Sequence, residues 1–295
     1  MEIKLAKLKL KNPVILASGT FDKTITQKID IEKLGAIATK TITLYPRPGN
    51  PLPHIIKTKY GWINSVGLKN PGLQKYLSQD LPFWKKFNIF IITSIAGETE
   101  KEYLELANKL ENANIPAIEA NVSCPNIKKG SISFGTEVKI LQSLIKKIRQ
   151  KFSGTLIVKL TPNVFDICKI ADAALSGGAD ILTVANTYLA LEIDNQKRKP
   201  KLAKIIGGYS GPAIKPLTLR VVWQIYKKFH CPIIASGGIE NFSDALDYIM
   251  CGATAITIGS INYLNPEASI KIVRGFQNYF KKHQIKNINQ IRGLI

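Results

Sequence analysis

Short runs of apolar residues recur along the chain, and the segments between them place apolar residues three and four positions apart. The runs are rich in Ile, Val and Ala and have little polar alternation, which is typical of parallel strands covered on both faces. The pattern predicts eight strands, at residues 14–17, 36–40, 90–94, 117–121, 156–159, 181–185, 233–235 and 255–258.

The intervening segments have the spacing of amphipathic helices. Thr99 and Glu102 are placed as in a capping box, which predicts a helix start at that point. Strands that alternate with helices eight times predict an α/β fold of the (β/α)8 or TIM-barrel type, rather than an open doubly wound sheet. We expect residues 1–295 to form one domain. The other predicted helices are at residues 138–152, 166–175, 214–229, 241–251 and 266–282.

Three long stretches follow predicted strands and carry no clear periodicity: residues 41–71, 122–136 and 187–213. We interpret them as irregular loops, and long loops inside a compact domain usually carry function. In a barrel of parallel strands, all three would emerge at the C-terminal face, where such proteins have their active sites.

Polar residues stand at the ends of the apolar strands. Lys40 and Lys159 each end one, and burying an ammonium there is costly unless it meets an anion or acceptors. Glycines follow the seventh and eighth strands, where barrels bind phosphate through backbone N–H groups. FMN would use both features, with its phosphate on the glycines and Lys159 near the N1–C2 edge of the flavin.

Composition narrows the function classes. Hydrophobic residues make up 45% of the chain, which suffices for a substantial core. Lys and Arg number 41 against 21 acids, a net charge of +20. These basic residues are scattered as pairs without interleaved aromatics, so we interpret them as solvated faces and predict no nucleic-acid partner. No apolar stretch approaches the length of a membrane span, and we predict no membrane contact.

The four cysteines are Cys124, Cys168, Cys231 and Cys251, and they are far apart in the sequence. Their spacing matches neither a zinc site nor an iron–sulfur site, so we predict no bound metal. A reducing, cytoplasmic location is expected. Cys124 lies in a polar loop at a strand end, within Asn121-Val122-Ser123-Cys124-Pro125-Asn126. A proton-transfer or nucleophilic role and a role as a small buried filler are both open for an isolated Cys.

These motifs strongly resemble those of the class 1 dihydroorotate dehydrogenases. The matching stretches read NPVILASGTF at residues 12–21, TKTITLYPRPGNP at 39–51, NSVGLKNP at 64–71, NVSCPN at 121–126, VKLTPN at 158–163, GGYSGPAIKP at 207–216 and SGGI at 236–239. They cover the chain nearly end to end. The resemblance implies a (β/α)8 barrel carrying one FMN, which oxidises (S)-dihydroorotate to orotate in pyrimidine biosynthesis.

A finer resemblance is to the class 1B catalytic subunit. Cys124 separates class 1 from the membrane-linked class 2 enzymes, which have Ser there and an N-terminal extension. The stretch at residues 128–136 is similar to class 1B. That class implies a partner subunit that holds FAD and a 2Fe–2S cluster and passes electrons to NAD+. It also implies a homodimer of this chain with two such partners, a heterotetramer.

The resemblance also implies site residues. Cys124 would be the catalytic base, since a free thiol has a pKa within reach of neutral pH. Ser94 and Ala185 depart from the residues that relatives usually have. The FMN contacts would be Ser18, Lys40, Thr41, Ser94, Asn121, Lys159, Ala185, Gly211, Gly237, Gly238, Gly259 and Ser260. The substrate contacts would be Lys40, Asn64, Ser65, Val66, Gly67, Leu68, Asn121, Asn126, Asn186 and Thr187.

Three alternatives stay open at this point. A class 1A enzyme would be a homodimer that reduces fumarate without a partner subunit. A tRNA-binding dihydrouridine synthase is also a flavin barrel with a strand-end Cys, and its RNA would suit the charge of +20. It would need a helical domain after the barrel, where the sequence predicts about one helix. A non-catalytic electron-transfer or scaffold role would leave Cys124 and the strand-end lysines unexplained.

Overall fold

The computed structural model describes residues 1–123 and 134–295. Eight parallel strands follow one another around a closed barrel in chain order. The eighth strand pairs with the first, with Ile256 opposite Val14, and this pairing closes the cylinder. All eight predicted strands are confirmed. Their bounds are Val14–Leu16, Ala36–Ala38, Phe90–Ile95, Ala117–Asn121, Thr155–Lys159, Ile181–Val184, Ile233–Ser236 and Ala255–Ile258.

Amphipathic helices cover the outside of the barrel. In the helix Val138–Lys151, Leu141, Leu144, Ile145 and Ile148 are buried against the strands, as their spacing predicts. The helix Ala268–Lys282 buries a similar stripe that includes Phe276. The predicted helices are confirmed with shifted ends. They are Glu100–Asn112, Val138–Lys151, Ile167–Ser176, Lys215–Phe229, Phe242–Met250 and Ala268–Lys282.

The predicted capping box at Thr99 is half formed. The Thr99 side chain accepts a hydrogen bond from the Glu102 N–H, as a helix cap does. The Glu102 carboxylate instead accepts from the N–H of Glu98, one residue before the cap, at 2.7 Å. A reciprocal box forms at the helix Phe242–Met250, where Asn241 and Asp244 satisfy each other's N–H groups.

The prediction of eight regular strand–helix alternations is wrong for the first two units. After the first strand the chain makes two short 3-10 turns, Lys23–Gln27 and Ile31–Lys33. Asp22 and Asp30 each cap one of these turns, which breaks the segment into short pieces. After the second strand comes a helix in three pieces: Leu73–Lys75, a π-helical turn at Tyr76–Asp80, and Leu81–Trp84.

The prediction that residues 41–71 and 187–213 are irregular loops is also wrong. Their strands combine into one antiparallel sheet of four, here called the roof sheet, in the order Tyr188–Leu191, Ile206–Ser210, Gly61–Asn64 and Ile55–Thr58. Ser210 pairs with Trp62 and Gly208 with Asn64, so segments distant in the sequence form adjacent strands. Two-stranded hairpins occur at Ile3–Leu5 with Leu8–Leu10 and at Ile193–Asp194 with Lys199–Pro200.

No helix within the described ranges is long and apolar enough to cross a membrane. The core is continuous from the barrel interior to the surrounding helices, and buried Ile, Leu, Val and Ala residues dominate it. The fold therefore derives its stability from one large apolar core.

Truncating a buried leucine tests this core. Leu144 has no exposed surface, whereas Leu217, also on a helix, is half exposed. We expect Leu144→Ala to lower the free energy of unfolding by about 2–5 kcal/mol, because it removes buried methyl groups and leaves a cavity. The control Leu217→Ala should change it by less than about 1 kcal/mol. Urea denaturation followed by circular dichroism measures both, and equal effects would contradict the assigned packing.

Candidate functional site

A cavity of about 730 Å³ lies at the C-terminal ends of the barrel strands, beneath the roof sheet. Its walls come from distant parts of the chain, because barrel closure brings all eight strand ends to one face. The predicted site residues that line it are Ser18, Lys40, Thr41, Asn64, Ser65, Val66, Gly67, Leu68, Asn121, Lys159, Ala185, Asn186, Thr187, Gly211, Gly237, Gly238, Gly259 and Ser260.

Three predicted site residues are not among these. Cys124 and Asn126 lie outside the described residues, as does most of the stretch at residues 128–136. Ser94 is fully buried and does not line the cavity. Its hydroxyl lies 2.9 Å from the Thr41 hydroxyl, which separates it from the cavity.

The glycines after the seventh and eighth strands form one wall of the cavity. Gly238 has a φ of +66°. A Cβ there would lie 2.9 Å from both the Gly211 carbonyl oxygen and the backbone nitrogen of Lys215. Only glycine fits this conformation and this close approach. Across residues 1–123 and 134–295, the N–H groups of Gly238, Gly259 and Ser260 donate to no other residue. Such a set of backbone donors is suited to an anion.

Side chains behind this wall hold it in place. Tyr248 donates its hydroxyl to the Gly237 carbonyl at 2.6 Å. Burial raises the pKa of Tyr248 above its usual range, so the phenol stays a donor. Lys215 contacts Asp244 at 2.5 Å and Asp247 at 2.7 Å. Burial works to lower the pKa of Lys215, but its hydrogen bonds to these two acids raise it above the ordinary value.

A cluster of amides and a hydroxyl lies at the ends of the fourth and sixth strands. The Ser123 hydroxyl donates to the Asn121 side-chain oxygen at 2.6 Å. The Asn186 amide donates to Ser123 at 2.5 Å and lies 3.4 Å from the same Asn121 oxygen. Ser123 was not predicted as a site residue, although it directly precedes Cys124. The cluster fixes the orientation of two amides that border the cavity.

The other side of the cavity is formed by residues 41–71, here called the lid segment. Asn64 donates to the Gly208 carbonyl at 3.2 Å and so joins the lid segment to the roof sheet. Asn50 donates to the backbone oxygen of Ser65 at 2.8 Å. Asn70 is buried, and its side chain makes four hydrogen bonds, which hold the two ends of the lid segment together. The lid is thus an ordered wall with its amides already in place.

The cavity is electropositive. Among the described residues that line it, four are basic and one is acidic: Lys40, Arg47, Lys159, Lys204 and Glu98. Arg47 forms an ion pair with Glu98 at 2.5 Å, which joins the lid segment to the loop after the third strand. The excess of positive charge indicates an anionic ligand.

A carboxylate missed from the sequence lies beneath the cavity floor. Glu119 is buried in the barrel and accepts a hydrogen bond from Thr183 at 2.9 Å. Its other oxygen lies 3.4 Å from the Ser94 hydroxyl and 3.9 Å from the Lys159 ammonium nitrogen. A lone Glu within an otherwise apolar strand is the signal that could have identified it.

Two aromatic side chains at the cavity edge were also missed. The rings of Trp62 and Tyr263 lie 6.0 Å apart, and Tyr263 donates its hydroxyl to the Gly19 carbonyl at 2.9 Å. Burial, followed by the nearby Asp22, raises the pKa of Tyr263 above its ordinary value. Both residues lie in segments without sequence periodicity, so nothing local marked them as neighbours. They give one edge of the cavity an aromatic border, with the two rings tilted by 59° to each other.

The described residues contain no cluster of His, Cys, Asp or Glu able to hold a metal ion. The described lining of the cavity presents backbone N–H groups, amides, hydroxyls, ammonium groups, the Arg47 guanidinium and the Glu98 carboxylate. These would bind a ligand with a phosphate and a second, planar group with several polar atoms.

Comparison with known proteins agrees with this arrangement. The sequence profile of the family described as "Dihydroorotate dehydrogenase" matches residues 1–280. A protein of Alkaliphilus metalliredigens is 43% identical over 99% of this chain and 98% of its own length. One of Desulforamulus reducens is 44% identical over 99% and 97%, and one of Caldicellulosiruptor bescii is 44% identical over 100% and 99%. Each of the three is named "Dihydroorotate dehydrogenase B (NAD(+)), catalytic subunit".

Removing the Asn70 side chain tests the order of the lid segment. We expect Asn70→Ala to speed tryptic cleavage at the exposed Lys57, Lys59 and Lys69 about tenfold. Losing buried hydrogen bonds costs about 1–3 kcal/mol. This cost raises the fraction of molecules with an open lid segment about tenfold, and trypsin cleaves the open form. The matched control is Asn112→Ala at an exposed helix end. Cleavage sites are read by mass spectrometry. Unchanged rates at all three lysines would show that Asn70 does not hold the lid.

Proposed function

Because the chain belongs to the dihydroorotate dehydrogenase family, we propose that it oxidises (S)-dihydroorotate to orotate in pyrimidine biosynthesis. It acts as the catalytic subunit of an NAD+-linked enzyme. The observation that carries the proposal is the cavity itself, which combines a backbone anion site with an array of amides and lysines at the C-terminal face of the barrel.

The residues of the cavity fit FMN. The N–H groups at Gly238, Gly259 and Ser260, which donate to no other described residue, would hold its phosphate. Ser18, Thr41 and the other predicted FMN contacts that line the cavity surround the remaining space. When bound, FMN supplies the acceptor for a hydride. Lys159 would lie beside the ring and stabilise its negative charge after reduction.

The remaining polar groups fit dihydroorotate, which has a carboxylate and a ring with two amide groups. Lys40 borders the cavity and would pair with the carboxylate. Asn64, Asn121 and Asn186 present side-chain amides of fixed orientation, which would bind the ring amides. Thr187 and the backbone at residues 65–68 complete this wall. Fixed donors reduce the cost of orienting the substrate.

The oxidation removes a proton from C5 of the substrate and a hydride from C6, and a C5–C6 double bond forms. A flavin bound in the cavity would supply the acceptor for the hydride, and the proton needs a base. We propose Cys124 for this role. It lies outside the described residues, but the preceding Ser123 is buried and hydrogen-bonded to Asn121. This contact holds the residue that precedes Cys124 beside Asn121, and we propose that Asn126 contacts the substrate as well.

A partner subunit would receive the electrons. Relatives that match this chain over nearly their whole length carry the words "catalytic subunit" and "NAD(+)" in their names. We infer a partner that holds FAD and a 2Fe–2S cluster, in a heterotetramer built on a homodimer of this chain. The thiols of Cys168, Cys231 and Cys251 are free, which suits a reducing, cytoplasmic location.

The other candidate functions are less well supported. A fumarate-reducing class 1A enzyme would also fit the cavity, but the relatives named here carry NAD(+) in their names. A dihydrouridine synthase is less well supported because the family profile that matches residues 1–280 is that of dihydroorotate dehydrogenase.

The electron acceptor separates these functions. We expect the purified chain alone to be yellow and to oxidise dihydroorotate with an artificial dye, because the cavity holds both ligands without a partner. Its rate with NAD+ should be lower by at least about 10²-fold, because we propose that the electrons reach NAD+ through the partner subunit. Absorbance assays with a dye, NAD+ and fumarate measure this. Efficient fumarate reduction would establish class 1A instead, and a colourless protein would contradict the FMN proposal.

Substitution of Cys124 tests the proposed base. Cys124→Ala should leave FMN bound and slow flavin reduction by dihydroorotate about 10²–10⁴-fold, the usual effect of losing a positioned base. Stopped-flow measurement of flavin bleaching follows the step directly. Cys124→Ser should also be slow at neutral pH, and its rate should recover as the pH rises, because a hydroxyl is a weaker base than a thiolate.

The matched control for this substitution is Cys168→Ala, a half-buried thiol away from the cavity. It should bleach the flavin at the normal rate. A near-normal rate in Cys124→Ala would show that another group takes the C5 proton.

A further inference from the structure

Glu119 is a buried acid to which the proposed reaction assigns no role. Its side chain is 3% exposed. Glu119 and Asn121 are two positions apart on the strand Ala117–Asn121, so their side chains are on the same face. Asn121 lines the cavity, and that face therefore points into the barrel. Glu119 lies one layer below the cavity floor.

Neighbouring strands surround this carboxylate with polar partners. Ser94 is directly opposite Glu119 in the barrel register, and Thr183 is opposite Lys159. Thr183 donates to one carboxylate oxygen at 2.9 Å, and Ser94 lies 3.4 Å from the other. The Lys159 ammonium nitrogen lies 3.9 Å from that second oxygen and borders the cavity from the same side.

A buried carboxylate is costly, and removing one partner of a buried ion pair leaves the other charge uncompensated. Three polar groups contributed by three different strands are required to keep Glu119 in this interior position. The placement of an acid under the floor of an electropositive cavity therefore affects the electrostatics of whatever binds above.

We propose that the buried Glu119 carboxylate lowers the reduction potential of the bound flavin, acting against the neighbouring Lys159 ammonium. The proposal rests on the proposed function, because it assumes FMN in this cavity. Reduction adds two electrons and one proton to the oxidised ring, which then carries one negative charge. Lys159 stabilises that charge, and the Glu119 carboxylate opposes it through the low-dielectric interior. Glu119 thus keeps the potential low enough for the flavin to pass its electrons on.

Glu119→Gln tests this, because it removes the charge and keeps the shape. The bound flavin is titrated against a reference dye of known potential under anaerobic conditions. At a fixed dye potential we expect the ratio of reduced to oxidised flavin to rise at least about tenfold, which is about 30 mV for a two-electron couple. Glu119→Asp keeps the charge and should stay within about threefold of the wild type. Thr183→Val removes a hydrogen bond but no charge and is the second control.

FMN content, read from absorbance, separates this proposal from the proposed function. A wild-type chain without FMN would contradict the proposed function, and the titration would then not apply. If wild type and Glu119→Gln both hold one FMN and have the same potential, the proposal about Glu119 is wrong and the proposed function stands.

Glu119→Met, also uncharged and of similar length, carries the same expectation if the Gln variant does not fold. Loss of FMN from both uncharged variants, with wild type and Glu119→Asp intact, would show that the carboxylate only maintains the cavity. That result would also overturn the proposal.

Discussion

Closure of the parallel barrel is the constraint on which the rest of this structure depends. Pairing of Ala255–Ile258 with Val14–Leu16 makes every strand a neighbour of two others, so all eight C-terminal ends surround one opening. Strand-end lysines, asparagines and glycines spread between Ser18 and Ser260 become neighbours for this reason. The apolar strands also exclude water from the floor of the cavity, which strengthens the electrostatic effect of each polar group there.

The polar layer near the top of the barrel departs from this apolar rule. Ser94, Glu119, Lys159 and Thr183 are buried, and each has a partner in the same layer. A continuous apolar core would be the simpler way to fill a barrel. Local departures from a consistent core are expected at functional sites, where stability is given up for chemistry. Here the departure is in the layer directly beneath the cavity, close to where a ligand would bind.

The roof sheet converts two long insertions into a cavity wall. Because Asn64 is paired with Gly208 across the sheet, the lid segment and the segment after the sixth strand hold each other in place. Asn70 closes the base of the lid through four hydrogen bonds. Amides that would contact a substrate are therefore carried by ordered backbone. Such preorganisation lowers the cost of binding and orientation.

The sequence by itself determined the barrel strands, most helices, the family and about half of the described residues that line the cavity. Apolar runs and strand-end polar residues are local signals, and such signals are visible directly in the order of residues along the chain. The tertiary structure alone decided the roof sheet, the burial of Ser94 and the position of Glu119. Asn64 and Gly208 are 144 positions apart, and no local pattern encodes a pairing over that distance. Whether a polar side chain faces a cavity or a neighbouring strand depends on barrel register, which exists only once the barrel has closed.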